Sequence, residues 1–492
     1  MSIIKKRFSR AAIIFAEILI CAFAVFSQDI EADVKITPDS NARVEGKLLK
    51  ETINQSNGNW SFTQALAGAE NLGARISDLS LSDKQNRTVS VKKLIDGEYL
   101  ASEKADAFQY RINLNQPPNA KTMAHVSWLS GEQGILMLGD LLPQFAADNQ
   151  TISARIKFDL PIGWKIISSE KSSGENIYDV KNIEKAIFVV GKNWRESETP
   201  NCDLAISGEW QFTDAEAAKM AGEIFERYRK LFGDAPTDKA RIFLIRLPKE
   251  TKFGRWEAET RGANTTIVSS DMPFKTLSLQ LLHEQLRHEI FHLWIPNRLA
   301  LTGNYDWFYE GFTVYQALRT GVAANQIRFE DFLDTLAEAY NLDSFQTRKI
   351  SLVESSKNRW SGANPQIYAR GMLVAFLCDA AILQASKGKN SIEDIFREVY
   401  RKHRVPNEPA DGNAAILEIL KTRAELIPIV ENYIRGTEKI NLEKDLEAFG
   451  IAATEENSFV KLGVKTKLSG GQKDLLDKLG YNNWRNISGK SK

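Results

Sequence analysis

From about residue 30 to residue 200, apolar and polar positions alternate in short runs divided by turn residues. Examples are Ile152-Ser-Ala-Arg-Ile-Lys-Phe-Asp159, Leu160-Pro-Ile-Gly-Trp164 and Ala186-Ile-Phe-Val-Val190. Period-two alternation sends successive side chains to opposite faces of a strand, so this stretch is predicted to be β-rich. Beyond Thr213 the period lengthens to that of helices, beginning with Asp214 to Phe232 and interrupted by the strand-like Ala240-Arg-Ile-Phe-Leu-Ile245. Helical patterns then continue to about Tyr433, and the last fifty or so residues are Lys-rich and punctuated by Gly463, Gly470, Gly471 and Gly480. The reading is an α+β multidomain chain: residues 28–208 a β-rich domain, 209–440 a mainly helical domain with a small sheet, and 441–492 a small C-terminal unit or tail.

The first 27 residues read as a targeting signal. Lys5, Lys6, Arg7 and Arg10 precede the apolar run Ala11 to Phe26, and Val25 and Ser27 stand at the −3 and −1 positions of a signal peptidase site. The run is short of the roughly 20 residues of a comfortable span and contains Glu17, so an uncleaved membrane anchor is the lesser alternative. Cys21 is preceded by Ile20 where lipidation needs a small residue, which argues against a lipoprotein. An exported chain is expected, periplasmic or extracellular, keeping only Cys202 and Cys378; the latter sits in an apolar run and reads as a buried thiol. The same run, from Met372 to Cys378, lies between Arg370 and Asp379, so it is predicted to be a core helix and not a membrane span.

Charge adds little. Lys and Arg total 64 against 63 Asp and Glu, which gives no field for nucleic acid, so the partner must be argued from local sites. Nucleophile-elbow, phosphate-loop and dinucleotide fingerprints are missing, leaving serine esterase, nucleotide hydrolase and dinucleotide readings without a starting residue.

The chemistry is concentrated in one stretch. Of 5 histidines, His283, His288 and His292 fall within ten residues, and His288-Glu-Ile-Phe-His292 is an H-E-x-x-H motif. Leu279, Leu282, Leu286, Ile290 and Leu293 make a stripe that predicts a helix over roughly 275–295. Residues four apart lie one turn above one another, so His288 and His292 offer two nitrogens to one metal ion, with Glu289 beside them as base. His283 lies about 140° around the helix from His288, which suits a packed or surface residue better than a ligand. His125 and His403 have no motif around them and get the same reading. A third ligand is needed on a neighbouring element. In Asp306-Trp-Phe-Tyr-Glu-Gly-Phe-Thr-Val-Tyr315 the apolar stripe Phe308, Phe312, Tyr315, Leu318 leaves Glu310 on another face, making it the candidate.

The runs Arg287 to Trp294 and Trp307 to Tyr315 resemble the glycyl aminopeptidase family of gluzincin metallopeptidases, relatives of the thermolysin-like and aminopeptidase-N enzymes. Tyr368-Ala-Arg-Gly371-Met-Leu-Val-Ala is similar to a further segment of that family, and Leu160 to Trp164 to a turn in its N-terminal β domain. The resemblance implies a thermolysin-like catalytic domain and one catalytic Zn²⁺ held by His288, His292 and Glu310. It also implies Glu289 as general base, Tyr368 as stabiliser of the tetrahedral intermediate, and a peptide or protein substrate. His/His/Glu sites also accept Co²⁺ and Mn²⁺. Three departures stand out. Only 17 residues separate His292 from Glu310, the C-terminal stretch is too short for the family's usual PDZ domain, and no clear amine-binding motif precedes the helix. Glu257 or Glu259 falls where that motif would be, although a surface edge strand is the plainer reading of the segment. The expectation is a zinc peptidase, aminopeptidase before endopeptidase. The alternative is a non-catalytic, zinc-containing descendant that binds peptides or envelope components. The oligomeric state is left open.

Overall fold

The computed structural model describes residues 28–37, 39–50, 58–144, 151–236, 239–248, 251–346 and 349–483. The expected signal segment, residues 1–27, lies outside the described residues. The N-terminal part is built on an eight-stranded sheet, ordered Lys171–Gly174, Ile177–Val180, Ala154–Asp159, Ile30–Thr37, Asn41–Leu48, Ala107–Asn113, Ile76–Ser82, Thr88–Val89. Ile30–Thr37 shows why these segments are strands: Ile30, Ala32, Val34 and Ile36 point inward while Glu31, Asp33 and Lys35 face water. It pairs parallel with Ala154–Asp159, and Ile156 and Phe158 join the same core.

A four-stranded sheet of Lys165–Ser168, Ile187–Gly191, Gln133–Met137 and Trp128–Leu129 joins this part to the next. Ile187–Gly191 is buried on both faces. One face serves the N-terminal core, and on the other Ile187 and Val189 pack with Trp128, Met137, Phe243, Ile245 and Val268. The last three belong to a mixed five-stranded sheet, ordered Arg195–Glu198, Cys202–Ser207, Ala240–Arg246, Asn264–Ser269, Trp256–Arg261. Its central strands are parallel; Cys202–Ser207 and Asn264–Ser269 are buried throughout and Ala240–Arg246 except at Arg241 and Arg246, as expected when both faces are covered.

Helices cover the other side of that sheet. Asp214–Phe232 starts with a capping box between Thr213 and Glu216 and stops at Gly233, whose φ of 86° is the left-handed cap that glycine adopts without strain. Lys275–His292 carries the histidine motif and is buried from Gln285 to His292, a tighter enclosure than a single apolar stripe predicts. Asn364–Ala385 is long and apolar enough to cross a membrane, but 89% of its most apolar window is buried inside the protein, so it serves as a core helix. Both Cys202 and Cys378 are buried free thiols. Residues beyond 441, expected as a small unit or tail, add the hairpin Ile451–Glu456 and Phe459–Val464 and the helix Gly470–Leu479. Ile451, Leu462, Leu476 and Leu479 enter the same hydrophobic core as Lys275–His292 and Asn364–Ala385, because the apolar positions between the lysines are enough to dock each short element.

The segment read as one continuous helix around Glu310 begins with a wider, π-helical turn, Trp307–Phe312, which passes into Thr313–Ala323. It crosses Asn364–Ala385 at Gly311 and Gly371. A Cβ on Gly311 would come within 2.6 Å of Gly371 Cα and 2.7 Å of the Ile367 carbonyl oxygen; one on Gly371 would come within 2.8 Å of Gly311 Cα. Backbone touches backbone there, and the crossing sets Glu310 beside Tyr368. Gly371→Ala is therefore expected to lower stability by about 1–3 kcal/mol, the range for overpacking a tight contact. An unchanged urea midpoint would show that the two backbones do not meet this closely.

Candidate active site

The motif helix turns His288 and His292 to one side with their Nε2 atoms 3.1 Å apart. Glu310 Oε2 stands 3.3 Å from His288 Nε2 and 3.5 Å from His292 Nε2. Ligands about 2.0–2.1 Å from a tetrahedral ion are about 3.3 Å from one another, so these three atoms match one face of such a tetrahedron. His292 Nδ1 lies 2.8 Å from the carbonyl oxygen of Ile295; it donates there, which fixes the ring with Nε2 toward the site. Two ring nitrogens facing each other at this distance need a cation or a proton between them. The donor set fits a dication.

A second carboxylate is close. Glu289 Oε1 is 3.9 Å from His288 Nε2, and Glu289 can be grouped with the two histidines as a cluster whose ligand atoms lie within 4.8 Å. Glu310 is nearer to both rings, whereas Glu289 accepts a hydrogen bond from Thr260 Oγ1 at 2.8 Å. That bond ties Glu289 to the edge strand Trp256–Arg261 and sets it beside the ligand triangle. The two acids also differ electrostatically. Burial raises the Glu289 pKa and the two histidines only partly offset it. At Glu310 the cost of burial is overcome by Arg359 and the histidines, which hold the carboxyl well below its usual range. Burial disfavours a charged His292, yet Glu310 and Glu289 raise it to about 9.

Arg359 is a residue that the sequence did not point to. Its Nη1 lies 3.0 Å from Glu310 Oε1 and 3.0 Å from Asp306 Oδ1, and its Nη2 donates to the Tyr368 hydroxyl at 3.1 Å. Tyr368 in turn donates to Glu310 Oε2 at 2.9 Å. Burial and the Glu310 carboxylate push the Tyr368 hydroxyl well above its usual pKa, so it stays a proton donor. Trp360 stacks under the guanidinium, 4.5 Å from its carbon. Arg359 lies in a short helical turn with no motif around it, so only three-dimensional proximity reveals it.

The edge strand Trp256–Arg261 corrects one reading. It is at the edge of its sheet, but instead of facing open solvent it forms a wall between two cavities of about 730 Å³ and 540 Å³ that both reach His288, Glu289 and Tyr368. The smaller is also lined by N-terminal residues including Thr63, Leu66 and Glu184. His125, read as packed or surface, is buried in this cleft, with Nδ1 2.5 Å from Glu259 Oε2 and its ring 5.7 Å from that of Trp360. Glu259 also meets Arg261 at 3.1 Å. Burial is overcome there by Arg261 and His125, which hold Glu259 at about 2, so its charge is already matched within the protein. Glu257 lines the larger cavity with no hydrogen bond or ion pair to another side chain among the described residues, and burial raises its pKa.

The sequence matches no protein-family model and no curated protein. The fold has clear relatives among solved structures. An aminopeptidase N family protein from Idiomarina loihiensis superposes with a TM-score of 0.73 at 16% identity, over 90% of this chain and 82% of that one. An M1 zinc metallopeptidase from Deinococcus radiodurans, as a variant bound to a Tyr-Ser-Ala substrate, gives a TM-score of 0.55 at 14% identity over 85% and 95% of the two chains. A further structure of the M1 zinc metallopeptidase from Deinococcus radiodurans gives 0.54 at 13% identity. The fold is thus the α+β arrangement of these metallopeptidases, a β-rich N-terminal part followed by a mainly helical one.

His283 is buried and away from the ligand triangle, its Nδ1 accepting from Arg287 Nη1 at 2.5 Å. Burial, with Arg287 and Arg227, lowers its pKa to about 3. The unfolded chain protonates this ring near 6.5 and the folded one does not. Between those values the unfolded state binds more protons, so stability rises with pH. Going from pH 7 to pH 5 is expected to remove on the order of 1–2 kcal/mol, and His283→Gln to remove that share of the slope in urea denaturation. Identical slopes for parent and variant would show that His283 protonates alike in both states.

Proposed function

We propose that this chain is an exported zinc-dependent peptidase, and an aminopeptidase in preference to an endopeptidase. The observation that carries the reading is the triangle of His288, His292 and Glu310 at 3.1–3.5 Å with the hydrogen-bonded carboxylate of Glu289 beside it. The resemblance of the motif segments to glycyl aminopeptidases and the metallopeptidase names of the fold relatives support it. The basic and apolar opening residues support export.

A zinc ion held by His288, His292 and Glu310 would supply a Lewis acid that lowers the pKa of water and polarises a carbonyl. Glu289, raised by burial and held by Thr260, takes the proton from the attacking water and passes it to the departing amine, a transfer worth roughly 10²–10⁴-fold. The Tyr368 hydroxyl donates to the carbonyl oxygen as negative charge gathers there; removing such a donor costs about 2.7–4 kcal/mol. Glu257, uncommitted within the cleft, receives the substrate's ammonium group, whereas Glu259 is matched by Arg261 and His125. The Deinococcus radiodurans variant holding a three-residue peptide is consistent with a substrate of that kind.

Two substitutions separate the parts of this reading. Glu289→Gln is expected to keep stoichiometric zinc by elemental analysis while hydrolysis of peptides falls by at least about 10²-fold, as expected for a lost general base. A variant with parental activity would remove Glu289 from the chemistry, and a parent without stoichiometric metal would sink the site. Glu257→Gln is expected to raise KM for a free-amine peptide at least tenfold and leave the N-acetylated peptide unaffected. Equal effects on both would point to an endopeptidase.

A further inference from the structure

The two oxygens of Glu310 have different surroundings. Oε2 faces His288 Nε2 and His292 Nε2 and accepts from Tyr368, whereas Oε1 is 3.0 Å from Arg359 Nη1. The guanidinium is itself held from three other sides. Asp306 Oδ1 is 3.0 Å from the same Nη1, Trp360 stacks beneath it, and Nη2 donates to Tyr368. Asp306 is fixed in its turn by the Tyr309 hydroxyl, which donates to Oδ1 at 2.6 Å. Side-chain exposures of 11% for Arg359 and 9% for Asp306 and Glu310 leave little water to loosen the arrangement. A carboxylate binds an ion through both oxygens only when both turn toward it. Here one is held by a fixed cation.

From this geometry we infer that Arg359 is a positioning residue that makes Glu310 a single-oxygen ligand, so that a catalytic dication keeps an open position, and that it steadies the Tyr368 hydroxyl beside that position. The inference rests on the metallopeptidase reading of the same site. Four-coordinate catalytic zinc needs three protein ligands and one open position, and a two-oxygen Glu310 would fill it. Arginine suits the task because its planar fork reaches Glu310, Asp306 and Tyr368 at once, which a lysine ammonium on a flexible stem does less well. A cation beside the site also works against metal binding. This fixes the sign of the test, because loss of Arg359 should tighten metal binding while activity falls, whereas a merely disordered site would bind metal less well.

The experiment is Co²⁺ titration of the metal-free parent, Arg359→Gln and Arg359→Lys, read by visible absorption and by competition with a chelator. Peptide hydrolysis is measured alongside. The parent should show the intense bands of a four- or five-coordinate ion. Arg359→Gln should lose at least half of that intensity, bind Co²⁺ at least threefold more tightly, and lose at least 100-fold in kcat with a smaller change in KM. Arg359→Lys should keep the parental affinity and recover part of the intensity and of kcat. If Arg359→Gln fails to fold by circular dichroism, the lysine variant decides, since unchanged intensity and unchanged kcat there would show that the fork is dispensable. Parental spectra, or weaker metal binding, in a folded Arg359→Gln would overturn the inference. A parent that binds no stoichiometric Co²⁺ would instead overturn the metal-site reading beneath it.

Discussion

The site depends on a place where two helices meet without side chains between them. Gly311 and Gly371 let the turn carrying Glu310 lie directly on the helix carrying Tyr368. The wide turn of Trp307–Phe312 lies at that crossing, and its i→i+5 hydrogen-bonded loop encloses one more residue than the i→i+4 loop of an α-helix. Around the contact the large side chains Trp307, Phe308 and Phe312 are fully buried and fix the turn from the other side. Glu310 thus reaches the histidines from a rigid backbone, and the preorganisation that chemistry needs comes from packing well outside the reacting groups.

Charge is then balanced inside that frame. Two carboxylates, two imidazoles and a guanidinium are buried together, and each alone would be costly. Within that frame the groups are pushed in opposite directions: against the cost of burial, Arg359 and the histidines hold Glu310 ionised, burial raises Glu289, and burial with Glu310 keeps Tyr368 protonated. Environments that push neighbouring acids apart are the usual mark of divided labour between them.

Much of this was legible from local pattern. Period-two alternation marked strands such as Ala154–Asp159, helical period marked Asp214–Phe232, and the i, i+4 spacing of His288 and His292 put both on one helix face. Glu310 was singled out because its apolar neighbours define another face of the same segment. What the pattern missed is contact between segments distant in the chain. Arg359 comes from a short turn that carries no periodicity, and Thr260 and His125 meet the motif helix and the edge strand only after folding. For the C-terminal fifty residues the pattern left a small unit and a tail open, because Lys-rich stretches look solvent-exposed; Ile451, Leu462 and Leu476 enter the core.

The apolar layer shared by the four-stranded and five-stranded sheets bears on how the cleft is used. Trp128, Met137, Phe243, Ile245 and Val268 are all buried in that layer, and pulling the N-terminal part away would bare every one of them. At about 1.5–3 kcal/mol for each large apolar side chain, a hinge there would have to overcome roughly as much as the whole stability of an ordinary domain. The two walls of the cleft are joined through this layer, so drawing them apart would expose apolar surface that their contact keeps from water.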